Sequence, residues 1–153
     1  MINSNYSLSK IALDSIVFRN LDFINYITLY KDKLSIHLPS IVQLELGYYY
    51  LAKGSTWDSF LRDIQKFNGK VMEWNTISVE AVLQNAIAQK RFLPFKSHFR
   101  DFIIGTQCES LLCSLITYNS NHFNWSRQII TYTPENFIIF FEENYRDSNL
   151  KGK

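Results

Sequence analysis

Three acidic residues lie among apolar neighbours, where an isolated charge is costly. Asp14 sits in the run KIALDSIVF, Glu45 in PSIVQLELGY, and Asp101 begins a segment whose same-side neighbours are small or apolar. Burial of one unpaired carboxylate costs several kcal/mol, comparable to the net stability of a small domain. Three buried carboxylates would repel one another unless a cation lay between them. Oxygen ligands suit Mg²⁺ or Mn²⁺, so Asp14, Glu45 and Asp101 are the candidate ligands of such an ion.

Each acid also has a structural explanation that needs no metal. Asp14 could cap a helix, Glu45 could pair with a buried arginine, and Asp101 could favour the positive N-terminus of its own helix. The sequence leaves these alternatives open for each acid taken singly, whereas the three together favour a shared cation.

A basic segment precedes Asp101. Between Glu80 and Asp101 the chain has no acidic residue, so residues 81–100 carry +4 and the remainder carries −2 of the net +2. Phe92, Phe95 and Phe99 are interleaved with the cations. Cations bind phosphates and exposed aromatic rings stack on unpaired bases, although the rings could instead anchor the core. The predicted substrate-binding residues are Lys90, Arg91, Lys96 and Arg100.

Two of the three histidines of the chain lie near these features in the sequence. His98 lies within the basic segment and His122 follows a predicted strand. Both could titrate near neutral pH, but a single histidine fits a hydrogen-bonded structural role better than a functional one.

Strand-like and helix-like runs alternate along the chain and must position these candidate site residues. The alternation predicts an α/β fold, in the form of a three-layer α/β/α sandwich with a mainly parallel sheet. Pro134 after Thr133 is a strong helix start. Residues 91–98 are expected to form a loop marked by Pro94. The predicted strands are 10–18, 34–38, 70–74, 114–117 and 129–132. The predicted helices are 21–30, 40–53, one capped by Ser55 or Thr56, 78–90, 99–112 and 134 to about 144.

Length and composition exclude several classes of protein. The 153 residues fit one domain, predicted over 1–145 with a disordered tail at 146–153. The sequence shows neither a secretory signal nor an apolar run long enough for a membrane helix, so a cytoplasmic location is expected. Cys108 and Cys113 match no zinc spacing and are expected to be buried, reduced thiols. No phosphate-binding glycine loop, HExxH or GxSxG motif occurs.

Five segments in order along the chain resemble a PIN domain, the nuclease fold of VapC-type toxins from toxin–antitoxin pairs. They are LDS at 13–15, LPSIVQLEL at 38–46, RDFIIG at 100–105, LITYNSNHF at 115–123 and TPENF at 133–137. The resemblance covers about residues 10 to 137. Ile16 departs from the family's Asp-Thr-Asn pattern, and Asn119 stands at a fourth acidic position that is frequently Asp.

The resemblance implies a Mg²⁺- or Mn²⁺-dependent endoribonuclease. Asp14 and Asp101 would be the principal metal ligands, Glu45 would orient or deprotonate the attacking water, and Asn119 would hold a water. Ser15 and Thr117 match the family's supporting hydroxyl residues. The implied partners are single-stranded or structured RNA, a second copy of the chain and an antitoxin segment.

The adjacent tyrosines 48–50 agree with such a partner surface. Successive residues lie about 100° apart on a helix, so at least one of the three should be exposed or covered by another chain.

Two other functions compete with the nuclease. A PIN-like module of weak or absent activity that binds RNA or protein is favoured by Asn119 but disfavoured by the three retained acids. A phospho-acceptor domain would need Thr-x-Lys after a late strand, where this chain has Tyr118 and Thr133.

Overall fold

The central sheet has five parallel strands in the order β3-β2-β1-β4-β5. The computed structural model describes residues 9–150, with side chains described to residue 145. The strands are β1 (Lys10–Leu13), β2 (Ser35–Leu38), β3 (Lys70–Val71), β4 (Ser114–Ile116) and β5 (Thr131–Tyr132). The helices are α1 (Leu21–Leu29), α2 (Ser40–Ala52), α3 (Trp57–Gln65), α4 (Val79–Ala88), α5 (Phe95–Leu111) and α6 (Pro134–Leu150). The predicted three-layer α/β/α fold is confirmed.

Both faces of the sheet are covered, because side chains alternate between its two sides along each strand. Ile11 and Leu13 of β1 pack in one apolar cluster with residues of α1, α3 and α6. Ala12 between them packs in a second cluster with Ile104 and Cys108 of α5 and with residues of α2. The middle strand β1 is therefore buried on both sides, as expected of a parallel sheet.

Four predicted boundaries are wrong for identifiable reasons. Strand β1 ends at Leu13 because Asp14 caps a 3-10 helix, Ser15–Arg19. Strand β3 ends at Val71, and a second 3-10 helix, Trp74–Thr76, follows it. The expected loop at 91–98 is cut short because Pro94 is the N-cap of α5, which begins at Phe95. Proline has no N–H to lose there, so it suits the start of a helix.

The fourth boundary is the end of α6, which continues past Asn144 to Leu150. Part of the segment predicted as a disordered tail is therefore helical, and residues 151–153 lie outside the described residues. Among the described residues, no helix combines the length and apolar character needed to span a bilayer.

The strand order reverses between β1 and β4. From β1 the chain proceeds to β2 and β3 on one side of the sheet, whereas β4 and β5 lie on the other side. In open parallel sheets, ligands bind at the carboxyl ends of the strands where the order reverses in this way. Asp14 and Thr117, the residues that follow β1 and β4, both lie at this point.

Candidate active site

Asp14 is held rigidly at the carboxyl end of β1. Its side chain is 1% exposed, and its two oxygens accept from different elements. Oδ1 accepts a hydrogen bond from the N–H of Ser15 at 2.7 Å, and Oδ2 accepts from Oγ1 of Thr117 at 2.8 Å. The predicted helix-capping role of Asp14 is thus confirmed, and it coexists with a position where the strand order reverses.

Glu45 and Asp101 reach the same place from helices α2 and α5. The connection between them is the guanidinium of Arg100, which lies among the three carboxylates. It forms ion pairs with Asp14 Oδ1 and Glu45 Oε1, and its Nη1 lies 3.3 Å from Asp101 Oδ1. Its Nη2 also donates to Oγ of Ser15 at 3.0 Å. The structure therefore brings the three predicted acids together around one cation that belongs to the chain itself.

The charge of Arg100 is fixed by this environment. Burial alone lowers the pKa of the guanidinium, but hydrogen bonds to Glu45 and the charge of Asp14 outweigh burial and raise it above its ordinary value. Three carboxylates therefore share this one guanidinium. The pairing of Glu45 with an arginine was one of the structural alternatives, and the structure confirms it. Arg100 was predicted to bind substrate phosphates, and in this state it binds carboxylates instead.

Two histidines flank Asp101 on the side away from Arg100. Nδ1 of His98 and Nδ1 of His122 each lie 3.1 Å from Asp101 Oδ2. The two rings are edge to face, with centroids 5.0 Å apart. Sequence reasoning gave both histidines structural roles. The available signal was the spacing of His98 and Asp101, which are three residues apart on one face of a helix once α5 is known to begin at Phe95.

His122 is positioned by an aromatic contact at Gly105. His122 ends a third 3-10 helix, Ser120–His122, and its carbonyl accepts from Nε1 of Trp125 at 2.8 Å. The Trp125 ring covers Gly105, where a Cβ would lie 2.8 Å from Cη2 and closer still to Cζ2. The absence of a side chain at Gly105 therefore permits the close approach of Trp125.

The remaining predicted site residues are Thr117, Ser15 and Asn119. Thr117 is fully buried and joins Asp14 to the loop after β4, because its Oγ1 also accepts from the N–H of Asn119 at 3.0 Å. Ser15 contacts Arg100. The side chain of Asn119 is exposed and, among the described residues, forms no hydrogen bond with the three acids.

The basic segment lies on the surface. Lys90, Arg91 and Lys96 are exposed. Phe92 is 80% exposed, and Phe95 and Phe99 are each nearly half exposed. The alternative that these rings anchor the core is therefore wrong. Lys96 lies five residues before Asp101 on α5, about 7.5 Å along the helix axis.

An apolar stripe runs along α2 beside Glu45. Leu44, Tyr48 and Leu51 share one exposed face, with Tyr48 75% exposed. Tyr50 turns inward to the Phe60 ring and donates a hydrogen bond to Asp63. The expectation that at least one of the three tyrosines is exposed is confirmed.

The carboxylates of Asp14, Glu45 and Asp101 form a carboxylate cluster around Arg100, whereas the group of described residues whose ligand atoms are close enough to hold one metal ion is His98, Asp101 and His122. The oxygens of the carboxylate cluster converge from three elements, with Glu45 and Arg100 half-buried and Asp14 and Asp101 buried. The guanidinium now provides the positive charge that these oxygens require. The cysteines offer no competing ligands, because Cys108 and Cys113 are free and buried and burial raises the pKa of the Cys113 thiol to about 11.

Comparison with known proteins does not identify the chain. No model of a known protein family matches it, and no curated protein matches it.

Proposed function

We propose that the protein is a metal-dependent endoribonuclease of the PIN type, similar to VapC toxins. The observation that supports this function best is the convergence of Asp14, Glu45 and Asp101 at the reversal point of the sheet. A purely structural ion pair needs one carboxylate for one guanidinium. Three carboxylates at the point where the strand order reverses are explained by a reaction that uses a divalent cation.

Each group has a distinct role in this proposal. Mg²⁺ or Mn²⁺ at these oxygens would lower the pKa of water and offset the charge that develops on the scissile phosphate. Asp14, fixed by Thr117, and Asp101, fixed by two histidines, are the principal ligands. Glu45 is the most exposed of the three acids and is the candidate to orient or deprotonate the attacking water. Arg100 can exchange carboxylates for a phosphate, since a guanidinium binds both in a bidentate manner.

The RNA would approach along the surface formed by residues 90–99. Lys90, Arg91 and Lys96 can contact the phosphates, and the exposed rings of Phe92 and Phe95 can stack on unpaired bases. Single-stranded RNA is the expected substrate, because paired bases are not available for stacking on aromatic side chains.

Cleavage of single-stranded RNA in Mg²⁺ or Mn²⁺ is the direct test. The wild type should cleave, and the double variant Asp14→Asn, Asp101→Asn should lose at least about 100-fold in rate. The matched control is Asp22→Asn with Asp58→Asn, which removes two exposed acids from the first turns of α1 and α3. Equal cleavage by the wild type and the site variant would refute the assignment of the site.

A catalytically silent binding module is the second candidate. The observation that favours it is Arg100 itself, which already provides a counter-ion to the acids. Such a module would bind labelled single-stranded RNA or a protein partner and leave the RNA intact in either metal. Phe92→Ala with Phe95→Ala should weaken RNA binding, since each stacked base contributes about 1–3 kcal/mol. Leu29→Ala, an exposed residue of α1, is the control.

The same proposal includes three further properties: the protein forms a homodimer, binds an antitoxin segment and is located in the cytoplasm. The exposed stripe of Leu44, Tyr48 and Leu51 is the candidate surface for either partner, because apolar patches of this kind mark interaction sites. Light scattering on Tyr48→Glu beside the wild type tests the homodimer. A dimeric wild type and a monomeric variant are expected, and a monomeric wild type would leave the stripe to another protein.

A further inference from the structure

The contacts around Asp101 point to a second cation position in this molecule. The two oxygens of Asp101 face different partners, because Oδ1 lies against Arg100 and Oδ2 lies against the two histidines. We propose that His98, Asp101 and His122 form a binding site for a divalent transition metal of the Co²⁺ to Zn²⁺ class, which shares Asp101 with the carboxylate cluster that would hold Mg²⁺ or Mn²⁺.

The spacing of the ligand atoms fits one ion. Bonds of about 2.1 Å place neighbouring ligands about 3.0 Å apart at right angles and about 3.4 Å apart at the tetrahedral angle. The two Nδ1 atoms each lie 3.1 Å from Oδ2 of Asp101, and one ligand atom from each of the three residues lies within 4.8 Å of the others. The three groups can thus surround an ion with small movements of the side chains.

The three ligands are held by the fold before any ion arrives. His98 and Asp101 are three residues apart on α5, so they share one face of a rigid helix. His122 is fixed through its backbone, whose carbonyl accepts the Trp125 indole N–H. Trp125 is in turn packed on Gly105 of α5. Pre-positioning of this kind is typical of a binding site, because it reduces the entropy lost when the ligands are ordered.

The chemistry of the donors selects the metal. Imidazole nitrogen binds zinc, copper, iron and nickel well, whereas Mg²⁺ prefers oxygen ligands and retains its waters. Two nitrogens and one carboxylate with an open position are a ligand set that Zn²⁺ adopts in catalytic sites. Asp101 is buried and His122 is half-exposed, so solvent or a substrate group can reach the remaining position.

The competing explanation is that both histidines simply donate hydrogen bonds to Asp101. That arrangement requires no metal and predicts none will bind at stoichiometric concentration. The two explanations therefore differ in a direct measurement of binding, which does not depend on whether the protein cleaves RNA.

Titration of the chelator-treated full-length protein with Co²⁺ is the test, followed by displacement with Zn²⁺ or Mg²⁺. One equivalent of Co²⁺ should bind with visible d–d absorption, and Zn²⁺ but not Mg²⁺ should displace it. Loss of an outer partner of a metal ligand already costs about 10- to 100-fold in affinity, so His98→Gln and His122→Gln should each weaken binding by at least about 100-fold. His37→Gln is the matched control, because His37 is the remaining histidine of the chain and lies on β2.

A measurement on the wild type alone guards against variants that misfold. Zn²⁺ should shift the ring nitrogen resonances of two histidines and leave the third unchanged. Absence of Co²⁺ binding, binding unaffected by both variants, or a sulfur charge-transfer band from the cysteines would each overturn the site. Asp14→Asn should abolish the proposed cleavage and retain the Co²⁺ spectrum, so failure of the nuclease proposal is distinguishable from failure of this one.

Discussion

Replacement of Arg100 by glutamine removes the counter-ion of the carboxylate cluster. Removal of one partner from a buried ion pair costs about 3–5 kcal/mol, because the other charge remains buried. Arg100 is 26% exposed and Glu45 is 33% exposed, whereas Asp14 is 1% exposed. Solvent screens part of the cluster, so we expect the low end, about 3 kcal/mol. For a chain of this size the melting temperature should fall by about 6–12 °C.

Urea unfolding in the presence of a chelator measures this loss. Arg91→Gln is the matched control, because Arg91 is exposed and such charges contribute little to stability. The experiment is then repeated with Mn²⁺, which the variant should bind more tightly than the wild type because the guanidinium no longer competes for the oxygens. An ion at 100 times its dissociation constant stabilises the folded state by about 2.7 kcal/mol, which would restore most of the loss.

Two results would refute this reasoning. Unchanged stability of Arg100→Gln in chelator would mean that the guanidinium is not the counter-ion of Asp14 and Asp101. Equal stabilisation of wild type and variant by Mn²⁺ would mean that the metal and Arg100 do not share the same oxygens.

Three further perturbations test separate parts of the structure. Gly105→Ala places a methyl group against the Trp125 ring and should cost about 1–3 kcal/mol of unfolding free energy; an unchanged urea midpoint would contradict the close contact. Thr117→Val removes the hydroxyl that donates to Asp14 and should cost about 1.5–3 kcal/mol of unfolding free energy. A variant whose unfolding curve matches that of the wild type would disprove this. Burial, and then two nearby lysine charges, lower the pKa of His37 below 6.5. Folding therefore favours the neutral form of His37. The stability of the wild type relative to His37→Gln should fall as the pH drops below about 6.5. A difference in unfolding free energy that stays constant with pH would contradict this.

Local sequence signals predicted most of the fold. Strand-like runs located all five strands. Local signals also located three helix starts: a cap at Ser55 or Thr56, of which the structure uses Thr56, a start at Ser78, and Pro134 as the first helical residue. The wrongly predicted boundaries occur where one local signal is compatible with two local structures. Pro94 can lie in a loop or begin a helix. The sequence assigned residues 91–98 to a loop, whereas in the structure residues 95–98 form the first turn of α5.

The composition of the carboxylate cluster was also predictable, because a charge inside an apolar run is visible in the sequence. Asp14, Glu45 and Asp101 were selected in this way, and they converge. The identity of the partner that joins these acids across the chain was not predictable. Arg100 contacts Glu45 and Asp14 across 55 and 86 positions of the chain, distances over which no periodicity carries information.

The sequence by itself determined the strand and helix order and which acids are too costly to leave unpaired in the core. Only the tertiary structure decided what pairs with them. The strand order brings the ends of β1 and β4 together, and that proximity places Thr117 on Asp14 and His122 on Asp101. The physical reason is that burial propensity depends on each residue and its neighbours in the sequence. Electrostatic partners depend instead on which strand ends the sheet brings into contact.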